Sequence, residues 1–364
     1  MLRTRAVASW RVREASPADA EAIRACMLEI LAETGGLKGP GFGAPLWEWQ
    51  YTRGTYPASA VVAEEGGRLL GYIHIPIVDL RINGRPILGA TIFDVATLAV
   101  CRGQGVFREM GACATEAMRR RGVELAYIFP NLRSMPSFVR NDAYTFIACC
   151  PVRIRPLDVG AVLRTRLGPL GRLLGAPATA AWRALAVRTG RLAAGEDVIP
   201  IDAPGPDVET VARDFAAGVG ATLDRTARYL AWRFLEKPTR EYSLWGLTRA
   251  GQLRAYVATR LAPLFGTTCV MLMDLGCRRG EEAALLRLVS ARLDAERANG
   301  AALGVAMGLH PFMPQLAAAG FVVVPERFNP RPFNLLARAF APDVPPEVFA
   351  PASWMITLAD LDML

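Results

Sequence analysis

Residues 94–108 have the pattern of a strand that runs through a glycine-rich turn into a helix: Asp94-Val95-Ala96-Thr97-Leu98-Ala99-Val100-Cys101-Arg102-Gly103-Gln104-Gly105-Val106-Phe107-Arg108. Gly103 and Gly105 allow a tight turn with exposed backbone amides. The helix that follows presents unpaired N–H groups and the positive end of its dipole, and such a site binds phosphate. Arg102 and Arg108 add positive charge. The sequence therefore predicts an anion-binding turn here.

The elements around this turn follow one order. Ser16-Pro17-Ala18-Asp19 predicts the start of a helix that ends at Gly35-Gly36, because a serine cap, a proline in the first turn and an acid three residues on favour a helix start. The pattern then predicts a short helix bearing tryptophans, a hairpin of residues 59–64 and 69–78, a strand over 87–97, a helix over 106–121, a strand over 125–129, a short helix over 135–141 and a last strand over 144–154. This order indicates an α+β fold with a largely antiparallel sheet.

The same pattern recurs in the second half of the chain, at an offset of about 180 residues. Trp49 aligns with Trp232, Tyr51 with Phe234 and Tyr72 with Tyr256. Trp47, Trp49 and Tyr51 could line an acceptor or acyl-chain pocket, but the equal spacing indicates that these aromatic residues chiefly pack the core of each copy. The ordered matches predict two related halves. We expect a first domain over residues 1–157, a connector over 158–200 and a second domain over 201–364.

The turn at residues 102–108 resembles motif A of the GNAT N-acyltransferases, whose signature is Arg/Gln-x-x-Gly-x-Gly/Ala. Arg102 and Gly105 match this signature, whereas Phe107 stands where the family has a small residue. The predicted element order agrees with the GNAT fold over residues 10–155. The fold class that the resemblance implies is α+β, with two GNAT-like domains in tandem.

The resemblance also implies a site for an acyl-CoA co-substrate, acetyl-CoA being the first expectation, in the first domain. Strand residues would pair with the pantetheine arm, the turn would cradle the pyrophosphate, and two residues after the next strand would contact the cofactor. In that order these are Val95, Ala96 and Thr97; Arg102, Gly103, Gln104, Gly105, Val106, Phe107 and Arg108; and Asn131 and Ser134. No metal is expected, and the two histidines, His74 and His310, exclude a histidine-rich metal site.

The reaction that the resemblance implies is transfer of the acyl group to a primary amine by direct attack. Asp94 lies on the central strand near the expected thioester, so we interpret it as the catalytic base; the alternative is a carboxylate that stabilises a strand end. Many GNATs have a tyrosine acid on the helix where residues 137–142 carry none, and Tyr144 fits the start of the last strand better. Cys101 lies before a helix N-terminus, a setting that can lower the pKa of a thiol, so an acyl-cysteine is an alternative route. We favour a buried cysteine with no role in the reaction, because direct attack suffices in this family.

The second half departs from the motif. Its turn reads Arg279-Gly280-Glu281-Glu282, so the second glycine is absent and two carboxylates occupy the helix start. Acids are stable at a helix N-terminus but would repel a pyrophosphate there. We therefore interpret the second domain as a degenerate copy with a structural or acceptor-binding role.

The charge of the chain is concentrated in the connector. The sum of 42 Lys+Arg and 34 Asp+Glu is +8, and residues 159–195 contain six arginines and no acid. A basic amphipathic helix over residues 178–193, with Trp182 on its apolar side, would either pack on the domains or contact a membrane or an acyl carrier protein. Nucleic acid is not an expected partner, because the arginines are scattered without interleaved aromatic residues.

Several alternatives remain open from the sequence. The acceptor is expected to be the amine of a small molecule, a sugar or a peptide. Long-chain acyl or aminoacyl transfer from an acyl carrier protein, an aminoacyl-tRNA or a lipid-linked substrate is one rival, and a non-catalytic acyl-CoA-binding protein is another. Seven cysteines without a CxxC pair indicate reduced thiols. The chain lacks an apolar run of about 20 residues and a signal-peptide pattern, so we expect a cytoplasmic protein, with peripheral membrane contact as an alternative.

Overall fold

The computed structural model describes residues 10–34, 44–51, 58–168, 175, 177–181, 191–238, 242–264, 266–329 and 332–361. The chain divides into two compact units. The first contains residues 1–80, 85–148 and 333–349, and the second contains residues 81–84, 149–332 and 350–364. This division differs from the bounds expected at residues 157 and 201, because each unit includes a segment from the other half of the sequence.

Up to residue 141 the chain forms the elements that its sequence pattern predicts, together with a strand over residues 11–14 that the pattern did not predict. The Ser16 amide donates to Asp19 (2.7 Å) at the first helix start. In chain order the elements of the first half are β1 (Arg11–Glu14), α1 (Ala20–Thr34), α2 (Ala44–Tyr51), β2 (Ala58–Glu65), β3 (Arg68–Ile82), β4 (Arg85–Thr97), α3 (Val106–Arg120), β5 (Leu125–Ile128), α4 (Met135–Asn141) and β6 (Thr145–Cys149).

The rest of the chain repeats the same kinds of element. They are β7 (Val152–Pro156), α5 (Val159–Leu167), β8 (Glu196–Pro200), α6 (Pro206–Phe215), β9 (Ala221–Leu223), α7 (Ala227–Leu230), β10 (Ser243–Arg249), β11 (Gln252–Leu264), β12 (Thr267–Cys277), α8 (Glu282–Ala298), β13 (Leu303–Met307), β14 (Val322–Val323), β15 (Asn334–Ala339) and β16 (Trp354–Met355). Short 3-10 helices include Ala99–Cys101, Met313–Ala319 and Leu358–Asp360.

The main path of each sheet has the same strand arrangement. The first sheet has the order β1-β2-β3-β4-β5-β15-β6, and the second has the order β8-β10-β11-β12-β13-β7-β14. In each, the two central strands are parallel: β4 with β5, and β12 with β13. Among the pairs with a described register, the other neighbours on these paths are antiparallel. This confirms the α+β class with largely antiparallel sheets.

One strand from near the end of each half lies in the sheet formed mainly by the other half. β15 lies between β5 and β6, and β7 lies between β13 and β14. The prediction of one continuous strand over residues 144–154 is therefore wrong: β6 ends at Cys149 and β7 begins at Val152, in a different sheet. Pro151 separates them, and a proline has no N–H with which to continue a ladder.

Each unit has its own hydrophobic core. In the first unit, α3 buries its predicted apolar side against the sheet, with Val106, Met110 and Ala117 at most 1% exposed. Trp49 and Phe234, members of the repeated aromatic pattern, are buried, as is the strand residue His74. The side chains of Trp47 and Tyr51, which were also assigned to that pattern, lie outside the described residues.

Most of the predicted connector helix, including Trp182, also lies outside the described residues. Residues 191–193, at its predicted end, are not helical. Within the described ranges, no helix combines the length and the apolar character that crossing a membrane requires.

Candidate functional site

The two central strands of the first unit separate at their carboxyl ends. The parallel register of β4 and β5 runs from Gly89–Leu125 to Ile92–Ile128, where β5 ends, whereas β4 continues to Thr97. Residues 93–97 are half-buried, and Asp94 has a left-handed backbone (φ 42°). This irregularity and the end of β5 leave residues 95–97 on a length of β4 that extends beyond its neighbour.

The turn after β4 presents a set of unpaired backbone amides. Gly103 (φ 79°) and Gly105 (φ 94°) adopt the left-handed conformation, and Gly105 caps α3. Gln104 donates its amide within the turn, to Cys101. The next four amides, of residues 105–108, make no hydrogen bond within the described part of the chain, as expected for the first turn of a helix.

Two arginines, Arg102 and Arg108, face this turn, and their guanidinium groups make different contacts. The Arg108 Nη2 atom lies 3.7 Å from the position that a Cβ on Gly105 would take, so its guanidinium lies against the turn. It makes no ion pair with any described residue. Arg102 donates instead to the Thr97 carbonyl (3.2 Å) and lies 3.3 Å from the Glu33 carboxylate. Glu33, at the end of α1, also accepts the Ala99 amide (2.9 Å).

Phe107, the residue that departs from the motif, packs into the core. Its ring meets Phe138 of α4 edge to face, with 5.6 Å between ring centroids. The bulky side chain thus replaces a small residue by filling space between α3 and α4. Val106 beside it is buried, and Gln104 donates its side-chain amide to the Val100 carbonyl (2.9 Å).

Asn131 and Ser134 form the turn that follows β5. The Asn131 Oδ1 atom accepts the amides of Arg133 (2.9 Å) and Ser134 (3.0 Å), which sets the start of α4. Because β4 and β5 are parallel neighbours, this turn and the α3 turn lie at the same edge of the sheet. The structure thus places all the sequence-predicted cofactor residues along this one edge.

Two alternative reactive groups are buried in the core. Cys101 is 3% exposed and donates to the Leu98 carbonyl (3.2 Å), and burial raises the pKa of its thiol. This agrees with the interpretation of Cys101 as a buried cysteine and not with the alternative of a reactive thiol, because burial outweighs the nearby helix N-terminus. Tyr144 packs on Phe138, as expected of the aromatic residue before the last strand, and burial raises its pKa.

A buried carboxylate lies beneath α4. Asp142 is 3% exposed, and burial raises its pKa to about 6. Its Oδ2 atom has no hydrogen-bond partner among the described residues. Gly111 of α3 passes so close that a Cβ there would lie 2.6 Å from Asp142 Oδ1. No sequence pattern predicts this buried carboxylate, because its burial depends on the packing of α3 against α4.

The equivalent turn in the second unit carries acids. Gly280 has nearly the same backbone as Gly103 (φ 78°), but Glu281 follows it at the cap of α8. The Glu281 carboxylate pairs with Arg249 and lies 3.7 Å from Arg254. A negative charge therefore occupies the helix start where the first unit has open amides.

The equivalent of Asp94 in the second unit is locked in a buried network. Asp274, fully buried on β12, accepts hydrogen bonds from Arg225 Nε (3.0 Å), the Tyr256 hydroxyl (2.9 Å) and the Thr357 hydroxyl (2.9 Å). Arg225 also donates to Asp360 (2.7 Å). All the ionic groups in this network have partners.

In the second unit, residues near the end of the described chain fill the space beyond the paired parts of β12 and β13. The register of β12 and β13 ends at Leu272–Ala306, and β12 continues to Cys277, as β4 does in the first unit. Leu309 and Ile356 then exchange backbone hydrogen bonds of 3.0 and 2.8 Å. A Cβ on Gly308 would lie 2.0 Å from the Ile356 carbonyl oxygen, which excludes any other chain or ligand from this position.

The second unit also contains a cavity of about 440 Å³ that the sequence did not predict. Its lining includes Ala212, Ala216, Arg213 and Asp224. Asp224 pairs with Arg81 (3.0 Å) and lies 3.6 Å from Arg213, so its carboxylate is shared by these two arginines.

The first-unit turn fits a diphosphate better than the second-unit turn does. Its free amides, its two left-handed glycines and the guanidinium of Arg108 form a positively polarised cradle that a side chain on Gly105 would enter. No cluster of His, Cys, Asp and Glu that could hold a metal occurs among the described residues.

Comparison with known proteins agrees with this geometry. Residues 12–147 match the family model described as an acetyltransferase (GNAT) domain. No curated protein matches the sequence.

Solved structures with little sequence identity share the fold. A GCN5-related N-acetyltransferase from Anabaena variabilis is 10% identical, with a TM-score of 0.64, and the match covers 91% of this chain and 72% of that one. A probable N-acyltransferase from Enterococcus faecalis is 12% identical, with the same TM-score and coverages. N-myristoyltransferase from Saccharomyces cerevisiae, solved with myristoyl-CoA, is 10% identical, with a TM-score of 0.56 and coverages of 91% and 83%. Residues 12–147 thus match the GNAT domain, and the chain shares its fold with these structures.

Proposed function

We propose that this protein is an N-acyltransferase that moves an acyl group, acetyl in the first instance, from coenzyme A to a primary amine. The observation that carries the proposal is the cradle at the start of α3, where the amides of residues 105–108 are open and Arg108 lies against the turn. GNAT enzymes use acyl-CoA, and the family match covers this turn.

The bound co-substrate would supply an activated thioester. The amides of residues 105–108, with Arg108, would hold its diphosphate, and the free length of β4 at residues 95–97 would orient its pantetheine arm. Asn131 and Ser134 would border the same edge. These contacts position the acyl carbonyl near Asp94 on the irregular part of β4.

The chemical step would be direct attack. The amine nitrogen forms a bond to the acyl carbon, the carbon–sulfur bond breaks, and Asp94 accepts the proton that the amine loses. The leaving thiolate takes its proton from water, because the nearby Tyr144 is buried in the core and burial raises its pKa.

The second unit would be a degenerate copy with a structural or acceptor-binding role. Its acid-bearing turn and its Asp274 network support this role. The acceptor would be a small-molecule, sugar or peptide amine in a cytoplasmic setting. The basic segment around residues 178–193 would contact a membrane surface or an acyl carrier protein, and nucleic acid is not a proposed partner.

A longer acyl donor is the second candidate. The similarity in fold to a myristoyltransferase solved with myristoyl-CoA favours it. Aminoacyl transfer and non-catalytic acyl-CoA binding are the remaining alternatives.

Calorimetry with acetyl-CoA and longer acyl-CoAs tests the proposal. We expect binding of at least one of them and release of free thiol when an amine acceptor is present. Absence of binding by every acyl-CoA would refute the proposal, and tighter binding of long chains would favour the second candidate.

The role of Asp94 has its own test. Asp94→Asn keeps the size of the side chain but removes its basicity, so we expect turnover to fall about 100-fold or more while acyl-CoA binding is kept. Steady-state kinetics over a pH range measure this. Unchanged turnover would remove Asp94 from the mechanism and leave the acyl-CoA site in place.

A further inference from the structure

The Glu33 carboxylate connects α1 to the cofactor turn. Its Oε2 atom accepts the Ala99 amide (2.9 Å) and lies 3.3 Å from Arg102 Nη2. The same Arg102 nitrogen donates to the Thr97 carbonyl at the end of β4 (3.2 Å). Arg102 is therefore held by an acid and a strand carbonyl, both at the edge where the cofactor is proposed to bind.

This ion pair is readily exchanged. The side chain of Arg102 is 49% exposed and that of Glu33 is 29% exposed. Exposed pairs of this kind contribute little stability, because water and salt screen them. A diphosphate carries more charge than one carboxylate and accepts two parallel hydrogen bonds from a guanidinium, so it is the stronger partner for Arg102.

From this geometry we infer that Glu33 is a positioning residue that holds Arg102 when no ligand is bound and competes with the diphosphate of coenzyme A for it. This rests on the proposed function, because the competitor is the diphosphate at the α3 turn. Binding replaces the contact between Arg102 and Glu33 with a contact between Arg102 and phosphate. Glu33 thereby lowers the affinity for coenzyme A, which aids release of the free coenzyme after transfer.

Glu33→Gln separates the two contacts of Glu33. The amide oxygen of glutamine still accepts the Ala99 N–H, whereas the charge that holds Arg102 is lost. We expect the Kd for coenzyme A to fall about two- to fivefold, the range of a released exposed ion pair. Pantetheine, which has no phosphate, should bind with unchanged affinity. Calorimetry at low and high salt measures both, and the gain should shrink at high salt.

Glu29→Gln is the matched control. Glu29 lies one turn earlier on α1 and pairs with Arg68, away from the cofactor turn. We expect no change in coenzyme A affinity from this variant. Thermal unfolding of both variants shows whether the helix is intact.

The double variant Glu33→Gln/Arg102→Met shows whether Glu33 affects coenzyme A binding through Arg102. If Glu33 acts by holding Arg102, Glu33→Gln gives no gain once Arg102 is replaced. A gain that persists in the Arg102→Met protein would show simple charge repulsion and overturn the inference. If the unaltered protein binds coenzyme A, a change in Kd smaller than about twofold in Glu33→Gln would also overturn the inference. The proposed function would then stand. Absence of coenzyme A binding by the unaltered protein would refute both.

Discussion

Gly103 in the first unit and Gly280 in the second have nearly the same φ, but the turns that contain them have opposite chemistry. The first leads to open amides and to a guanidinium that has no ion-pair partner among the described residues, and the second leads to a carboxylate held by arginines. The aspartates on the preceding strands differ in the same way, since Asp94 is half-buried and Asp274 is sealed in a network. The two units thus share a fold, but the first has open backbone amides at its turn and the second has a buried cluster of paired charges.

The largest effect should come from breaking the buried cluster of the second unit. Arg225→Met would leave Asp274 and Asp360 buried without their cation, and the free energy of unfolding should fall by about 3–5 kcal/mol. Urea denaturation measures this. Arg228→Met is the control, because Arg228 pairs with Glu236 on the surface, and its loss should stay below about 1 kcal/mol. Equal losses would show that the cluster does not have the structural role that distinguishes the two units.

An effect of intermediate size should distinguish the two turns by their effect on coenzyme A affinity. Gly103→Glu and Gly280→Glu place the same side chain at φ 79° and 78°, where no atom lies within 4 Å of the new Cβ. Both should lose about 1–2 kcal/mol of stability because of the left-handed backbone. Only Gly103→Glu should weaken coenzyme A binding, by about tenfold or more, because its carboxylate enters the cradle. Calorimetry and thermal unfolding measure the pair, and equal losses of affinity would contradict the assignment of the site to the first unit.

The smallest effect concerns Asp142, a buried carboxylate of the first unit with an unpartnered oxygen. Its folded pKa of about 6 lies above the ordinary value near 3.9, so the folded state binds the proton more tightly than the unfolded state. The stability that this gives is full below about pH 4 and is lost as the pH rises through about 6.

Asp142→Asn cannot ionise and should therefore avoid that loss. We expect its advantage over the unaltered protein to grow by about 1–2 kcal/mol between pH 5 and pH 8, as followed by urea denaturation. Asp202→Asn, at an exposed position, should show no such trend. A pH profile for Asp142→Asn that parallels the unaltered protein would show that the carboxylate is solvated.

Local signals in the sequence predicted the glycine-rich turn before α3. Contacts between residues far apart in the chain could not be predicted in this way. Glycines, arginines and a strand-to-helix pattern within residues 94–108 indicated the cradle, and an apolar face predicted the buried side of α3. The Asp274 network joins residues 225, 274 and 360, whose separation in the chain leaves no periodic trace. Glu33 was missed for the same reason, because an acid near the end of a surface helix carries no sign of its contact with Ala99.

The exchange of strands between the sheets has a consequence for biosynthesis. The first sheet needs β15, so it cannot be completed until residue 339 has left the ribosome, after more than nine-tenths of the 364 residues have been made. Domains commonly fold in order as they are synthesised. Here the sheet formed largely by the first half stays incomplete during synthesis, because the position between β5 and β6 is not yet filled by β15. A nascent chain that stalls before β15 would therefore display open strand edges, a state that chaperones recognise and that invites aggregation.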